Sequence, residues 1–165
     1  MNVNDDMHLI VGGDAFAAAL ADFIVQAPPQ WWISAERFDD WPLERPEVVA
    51  ALTAWSRRHA QGELRIFARD YGHIERHGAR FMQWRRLFAH LLQIKRWPQR
   101  LPDEESLPRG VLQPRAALLL SAAARPGQLL ARASADVREI AVLSEPLQAA
   151  WDMGHYALPA QTLGL

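Results

Sequence analysis

The order of apolar segments predicts an α/β fold, a mixed β-sheet flanked by helices. Two observations carry this. Up to about residue 97, runs with helical spacing alternate with short runs of strand formers, and beyond residue 115 short apolar runs dominate. At 165 residues the chain is long enough to bury a core of its own, so one domain is expected over 1–165.

Residues 1–7 are polar and acidic and read as a loose N-terminus. After an apolar run at 8–11, Gly12-Gly13-Asp14 reads as a turn with a helix N-cap. Phe16, Leu20, Phe23 and Ile24 form the stripe of a helix that Pro28-Pro29 ends. Trp31-Trp32-Ile33-Ser34 is rich in strand formers, and the polar, proline-punctuated residues 36–46 follow as a loop. Pro46 suits a first helical turn, and Val48, Val49, Leu52 and Trp55 keep the helical period over 46–60. Past Gly62, Leu64, Ile66 and Ala68 alternate with Arg65 and Phe67, as in a strand buried mostly on one face.

A third helix is expected over about 73–90, with Phe81, Trp84, Leu87, Phe88 and Leu91 as its stripe, and then a strand at 92–97 that Pro98 ends. Residues 98–114 read as a Pro-rich loop, with Pro102, Pro108, Gly110 and the acidic Asp103-Glu104-Glu105. The runs at 116–122 and 128–134, joined around Arg125-Pro126-Gly127, form a hairpin pattern. Residues 139–144 read as a strand, Pro146, Leu147, Ala150 and Trp151 begin a closing helix that Gly154 stops, and 155–165 form a C-terminal tail.

Composition removes several kinds of chemistry. With no cysteine, thiolate nucleophiles, iron–sulfur clusters and cysteine-ligated zinc are excluded. The net charge of −1 argues against a strongly electrostatic, sequence-independent nucleic-acid binder, so nucleic acid is a disfavoured partner. Basic residues are 17 arginines and one lysine, Lys95, a bias that high-GC coding also produces. The N-terminus lacks the basic region of a signal peptide, and the apolar stretch 15–27, broken by Asp22, is too short to span a bilayer, so the cytoplasm is the expected location. None of the six serines sits in Gly-x-Ser-x-Gly, Gly12-Gly13-Asp14 lacks the last glycine of a dinucleotide fingerprint, and there is no Gly-Lys-Ser/Thr phosphate loop. No cofactor is implied.

Three segments carry candidate chemistry. His73 and His77 are four apart, but the acid lies at Glu75 and not next to the first histidine, so they read as a solvated helix start and no metal site is expected. In Phe81-Met-Gln-Trp-Arg-Arg-Leu-Phe-Ala-His90 the rings belong to the core. Arg85 and Arg86, about 100° apart around the helix, offer an anion site through one of them, the other being solvated or paired with Glu75 or Asp70. Asp39 and Asp40, in a loop that follows a strand, are a possible acidic site, as an acid/base pair or a cation site, against the plainer reading of a turn and cap.

The element order resembles one half of the phospholipase D-like superfamily over roughly residues 9–154. The resemblance implies that a His-x-Lys-x4-Asp segment should fall on residues 115–122, followed by a second hairpin strand, a Glu-containing strand and a helix with a late Trp. There Arg115, Ala117 and Ala122 stand in place of His, Lys and Asp. Lys95, the single lysine, lies on a different strand from the one that would need it. Arg115 retains the capacity to hold phosphate but cannot attack phosphorus. The segments Arg37-Phe-Asp-Asp-Trp-Pro-Leu43 and Phe81-x-x-Trp-Arg-Arg-x-x-x-His90 further resemble a proteobacterial family of unknown function with this degenerate fold, which occurs alone or behind N-acetyltransferase-like domains.

The resulting expectation is a non-catalytic phospholipase D-like half-domain. It would bind a partner protein or a phosphate-bearing ligand through Arg37, Arg85, Arg86, His90 or Arg115. Because catalytic members of the superfamily pair two halves, a homodimer is expected. The competing expectation is a phosphodiesterase or nuclease with a relocated site, His90 working with Asp39 or Asp40.

Overall fold

The computed structural model describes residues 9–101, 106–121 and 128–158. The expected loose N-terminus at 1–7, the acidic Asp103-Glu104-Glu105 and the connection Arg125-Pro126-Gly127 lie outside the described residues.

The chain runs through β1 (Leu9–Val11), α1 (Gly13–Val25), β2 (Gln30–Ala35), α2 (Pro46–Arg58), β3 (Glu63–Ala68), α3 (Gly72–His77), α4 (Ala79–Leu87), a 3₁₀ turn (Ala89–Leu91) and β4 (Leu92–Arg96). It continues through β5 (Gly110–Gln113), β6 (Ala116–Leu120), β7 (Leu130–Ser134), α5 (Val137–Met153) and β8 (His155–Tyr156). One eight-stranded sheet has the order β1-β7-β6-β5-β2-β3-β4-β8. β2, β3 and β4 are parallel and joined by helical crossovers, and the other pairings are antiparallel, so the sheet is mixed and flanked by helices.

Each face of the sheet has its own core. Trp31, Ile33, Leu64, Ile66 and Ile94 meet Phe16, Leu20, Leu52, Trp55, Phe81 and Trp84 of α1, α2 and α4. On the other face Phe67, Leu112 and Leu119 meet Ile140, Leu147, Ala150 and Trp151 of α5. The alternation in β3 therefore gives way at its end, where Phe67 and Ala68 are both buried, each under a different layer.

Five local expectations are corrected. Residues 139–144 are helical. Asp136 caps α5 by accepting from the N–H groups of Arg138 (2.9 Å) and Glu139 (3.3 Å), and the buried Ile140, Leu147, Ala150 and Trp151 recur on one helical face, with Pro146 accommodated inside the helix. Within the expected loop 98–114, residues Gly110–Gln113 form β5 between β2 and β6. This strand is buried on both faces and so shows no alternation, and its prolines flank the pairing without interrupting it. At Gly110, φ is 149°, and a Cβ would lie 1.9 Å from the Leu118 carbonyl oxygen.

The single helix expected over 73–90 is broken at Gly78, where a Cβ would lie 2.5 Å from the Ile74 carbonyl oxygen. Leu87 is consequently exposed, outside the core stripe. The first helix begins at Gly13, with Gly12 at φ 91° as its cap and no side-chain capping bond. Asp14 instead pairs with Arg45. In the expected tail, His155–Tyr156 pair with β4 as the last strand of the sheet.

Candidate functional site

The parallel strands decide which candidates meet. After β3, α3 and α4 cross over the sheet, and β4 returns beside β3 to end at Arg96. β8 then lays His155 opposite Arg96. Between these elements lies a cleft of about 860 Å³ lined by Arg76, Arg85, Arg86, Arg96 and His155, with Glu75 also in its wall.

Arg85 is the unusual member. It follows Trp84, which is buried in the core, and is itself only 6% exposed. Among the described residues no hydrogen-bond or ion-pair partner accepts from its guanidinium, and Glu75 forms no ion pair with any of the four arginines. Burial, and next the like charge of Arg86, push the Arg85 guanidinium below its ordinary range. An arginine nonetheless stays protonated at neutral pH. The cleft thus presents a partly desolvated cation whose fork has donors to spare.

The other sequence candidates do not join it. Asp39 and Asp40 are exposed in the loop after β2, beside a second, shallower cleft of about 460 Å³ that also includes Arg45 and Arg80. There Glu44 performs the capping, accepting from the N–H groups of Arg80 (2.8 Å) and Phe81 (3.2 Å) at the start of α4. Arg37 is exposed at the start of the same loop. His90 is exposed in the 3₁₀ turn before β4. Since β2 and β4 are parallel, a residue before β4 and residues after β2 stand at opposite ends of the sheet, and His90 forms no dyad with Asp39 or Asp40. Arg115 is exposed in the turn between β5 and β6, with β2 and β3 standing between that hairpin and β4. Of the five anion candidates, only Arg85 and Arg86 come together, and both line the cleft.

Arg76, Arg96 and His155 were missed by sequence reasoning. Arg76 lies inside the His73–His77 segment, which was weighed only for its histidines and Glu75, Arg96 closes a strand, and His155 falls in the expected tail. No local signal links them, because strand pairing is what brings them together.

The comparison with the phospholipase D-like pattern also shifts by one strand. Counting back from α5, the last strand is β7 and the hairpin is β5–β6, so the resemblance would place the His-x-Lys-x4-Asp segment on and around β5 and not on residues 115–122. The outcome for the motif is the same in either register, since residues 107–122 contain no His, Lys or Asp. At the top of β5, Arg109 instead donates to Glu36 at 2.8 Å, Arg69 lies 3.8 Å from the same carboxylate, and the buried Ser34 hydroxyl donates to the Pro108 carbonyl at 2.6 Å.

The family described as "Domain of unknown function (DUF7931)" matches residues 13–158. No curated protein is a significant match. Among solved structures, TrmBL2, an archaeal chromatin protein, is similar at 12% identity with a TM-score of 0.62, covering 95% of this chain and 56% of that one. Polyphosphate kinase from Porphyromonas gingivalis is similar at 16% identity with a TM-score of 0.54, covering 93% of this chain and 27% of that one. The chain therefore spans 56% and 27% of the lengths of these two neighbours. At such identities the likeness is one of fold, an α/β unit with a mixed sheet flanked by helices. No helix among the described residues is long and apolar enough to cross a membrane.

Proposed function

The chain belongs to the DUF7931 family, and we propose that it is a non-catalytic phospholipase D-like domain that binds a phosphate-bearing ligand in the cleft of Arg76, Arg85, Arg86 and Arg96. The observation that carries this is Arg85, a residue only 6% exposed whose guanidinium has no acceptor among the described residues and lines the cleft together with three further arginines and His155. Removing a charge from water costs several kcal/mol when no counter-charge replaces the solvent. A phosphate supplies that counter-charge, and its oxygens match the planar donor fork of arginine bidentately. The absence of His, Lys and Asp from residues 107–122 supports the non-catalytic part of the reading, since the covalent chemistry of the superfamily needs a nucleophile there.

A thermal-shift titration with inorganic phosphate and pyrophosphate tests the proposal. A ligand that prefers the native state raises the melting temperature with its concentration, and Arg85→Met should remove that rise. No shift with either anion would overturn the binding reading. A generic phosphodiester substrate should remain uncleaved, and cleavage that His90→Ala abolishes would favour the relocated-site enzyme instead.

A further inference from the structure

We propose that the α5 side of the sheet is a homodimer interface, in which α5 packs antiparallel against α5 of a second copy. The sheet is covered unequally. Helices α1 to α4 all contribute to the core on one face, whereas α5 alone, about 10 Å across, lies over the other face of an eight-stranded sheet roughly 35 Å wide. Of the eight large hydrophobic side chains left exposed among the described residues, six are on the α5 side. Val137, Val142 and Met153 belong to α5 itself. Leu9 and Val11 point to the same side because Ile10, between them, packs into the opposite core. Tyr156 joins them beside Lys95, whose ammonium also lies over the ring of Trp151.

These six fall at both ends of one helix, which suits a two-fold axis. Leu9 stands opposite Arg132, the partner of Glu139 in the first turn of α5, so Leu9, Val11 and Val137 gather near the helix start, and Met153 and Tyr156 near its end. A dyad through the middle of α5 lays the first group of each copy against the second group of the other, an isologous contact that closes. Between them Val142 and Ala149, seven residues apart, share the outward side of the helix, and the small Ala149 allows close approach. Six side chains, each more than half exposed, leave roughly 600 Å² of surface on one copy, so the pair buries about 1,200 Å², the lower end of a specific interface.

Charge selects the second copy and the direction. Arg138 stands in the first turn of α5 and Asp152 in the last, both exposed on the outward side, and neither has an ion-pair partner among the described residues. Each opposes the dipole of its own helix. Antiparallel pairing brings Arg138 of one copy toward Asp152 and the negative helix end of the other, twice over, whereas parallel pairing sets like charges together. Glu145, mid-helix on the same side, is the one acid left facing the acids of its partner.

Sedimentation velocity of the full chain from about 1 to about 100 µM tests this, with a dimer of micromolar Kd expected. Ala149→Arg, at an exposed position, should weaken the dimer by about tenfold or more and leave the circular dichroism spectrum unchanged. Arg138→Asp and Asp152→Arg should each weaken it, and the two together should restore it. Glu145→Gln should tighten it. A monomer at every concentration overturns the proposal. So does a dimer that Ala149→Arg leaves intact, or one that the double charge exchange fails to restore.

Discussion

The indole N–H of Trp84 donates to the Ser56 hydroxyl oxygen at 3.1 Å, a buried hydrogen bond from α4 to α2. Ser56 passes the bond on by donating to the Leu52 carbonyl at 2.7 Å. This bond fixes the rotation of α4 about its axis, and Arg85, the next residue, is thereby set at the cleft. Ser56→Ala strands the indole N–H in the core. The expected loss is about 1–3 kcal/mol in urea denaturation, and Trp84→Phe in the same background should add less than it costs alone.

Arg85 holds its charge against burial, so the site has a stability cost that its removal would reveal. Arg85→Met keeps the packing volume and deletes the charge, and should raise the stability of the ligand-free protein by about 1 kcal/mol or more while abolishing the phosphate-dependent thermal shift. A variant both less stable and still responsive to phosphate would show that Arg85 is a structural residue alone.

Gly110 sits where any side chain would collide with the Leu118 carbonyl, at a backbone angle that L-residues rarely adopt. Gly110→Ala is expected to lose about 1–3 kcal/mol through strain alone, with the collision adding to it. A thermal melt would show this as a clear fall in Tm. An unchanged Tm would mean that the β5–β6 pairing is looser than the register of Gly110 opposite Leu119 requires.

Tyr71 links β3 to β4 from beneath, with its hydroxyl oxygen 2.6 Å from the Lys95 carbonyl and 3.1 Å from that of Ile66. Burial raises the phenol far above its ordinary value of 10.0. The sign follows from proton binding. Above pH 10 the unfolded chain releases this proton while the folded protein keeps it, so stability is full below that pH and falls as pH rises beyond it. Tyr71→Phe should cost about 1 kcal/mol at neutral pH and reduce the alkaline loss, measured by denaturation at pH 7 and above pH 10.

Arg65 is wedged between the rings of Trp32 (5.1 Å) and Trp151 (5.2 Å) and donates to Gln148 at 3.0 Å, pinning α5 to the strands. Arg65→Lys keeps the charge but loses the planar group that lies against the indoles, and Arg65→Ala loses both. The expected order of stability is wild type, Lys, Ala, with steps of about 0.5–2 kcal/mol. A lysine variant as stable as wild type would mean that charge alone holds the helix.

Much of the fold was legible because its signals are local. The helical stripe of Phe16, Leu20 and Ile24, and the strand formers at Trp31–Ser34 and Leu64–Ala68, carry their period within a few residues, and all lie in elements of the expected type. The segment after residue 98 was misread for one physical reason. β5 is buried on both faces and short, and residues 139–144 are strand formers that a capping Asp136 and a buried stripe ending at Trp151 draw into a helix. In both cases tertiary burial overrides local propensity.

By itself the sequence determined the α/β class, the exclusion of cysteine chemistry and the absence of any His-x-Lys-x4-Asp segment, since each depends only on which residues occur and on their local period. It also picked out Arg85 and Arg86. Only the tertiary structure decided that they share a cleft with Arg76, Arg96 and His155, that Arg85 is buried without a counter-charge, and that His90 and Asp39 stand at opposite ends of the sheet. The reason is geometric: parallel strand pairing joins residues tens of positions apart, and burial belongs to their meeting and not to any one segment.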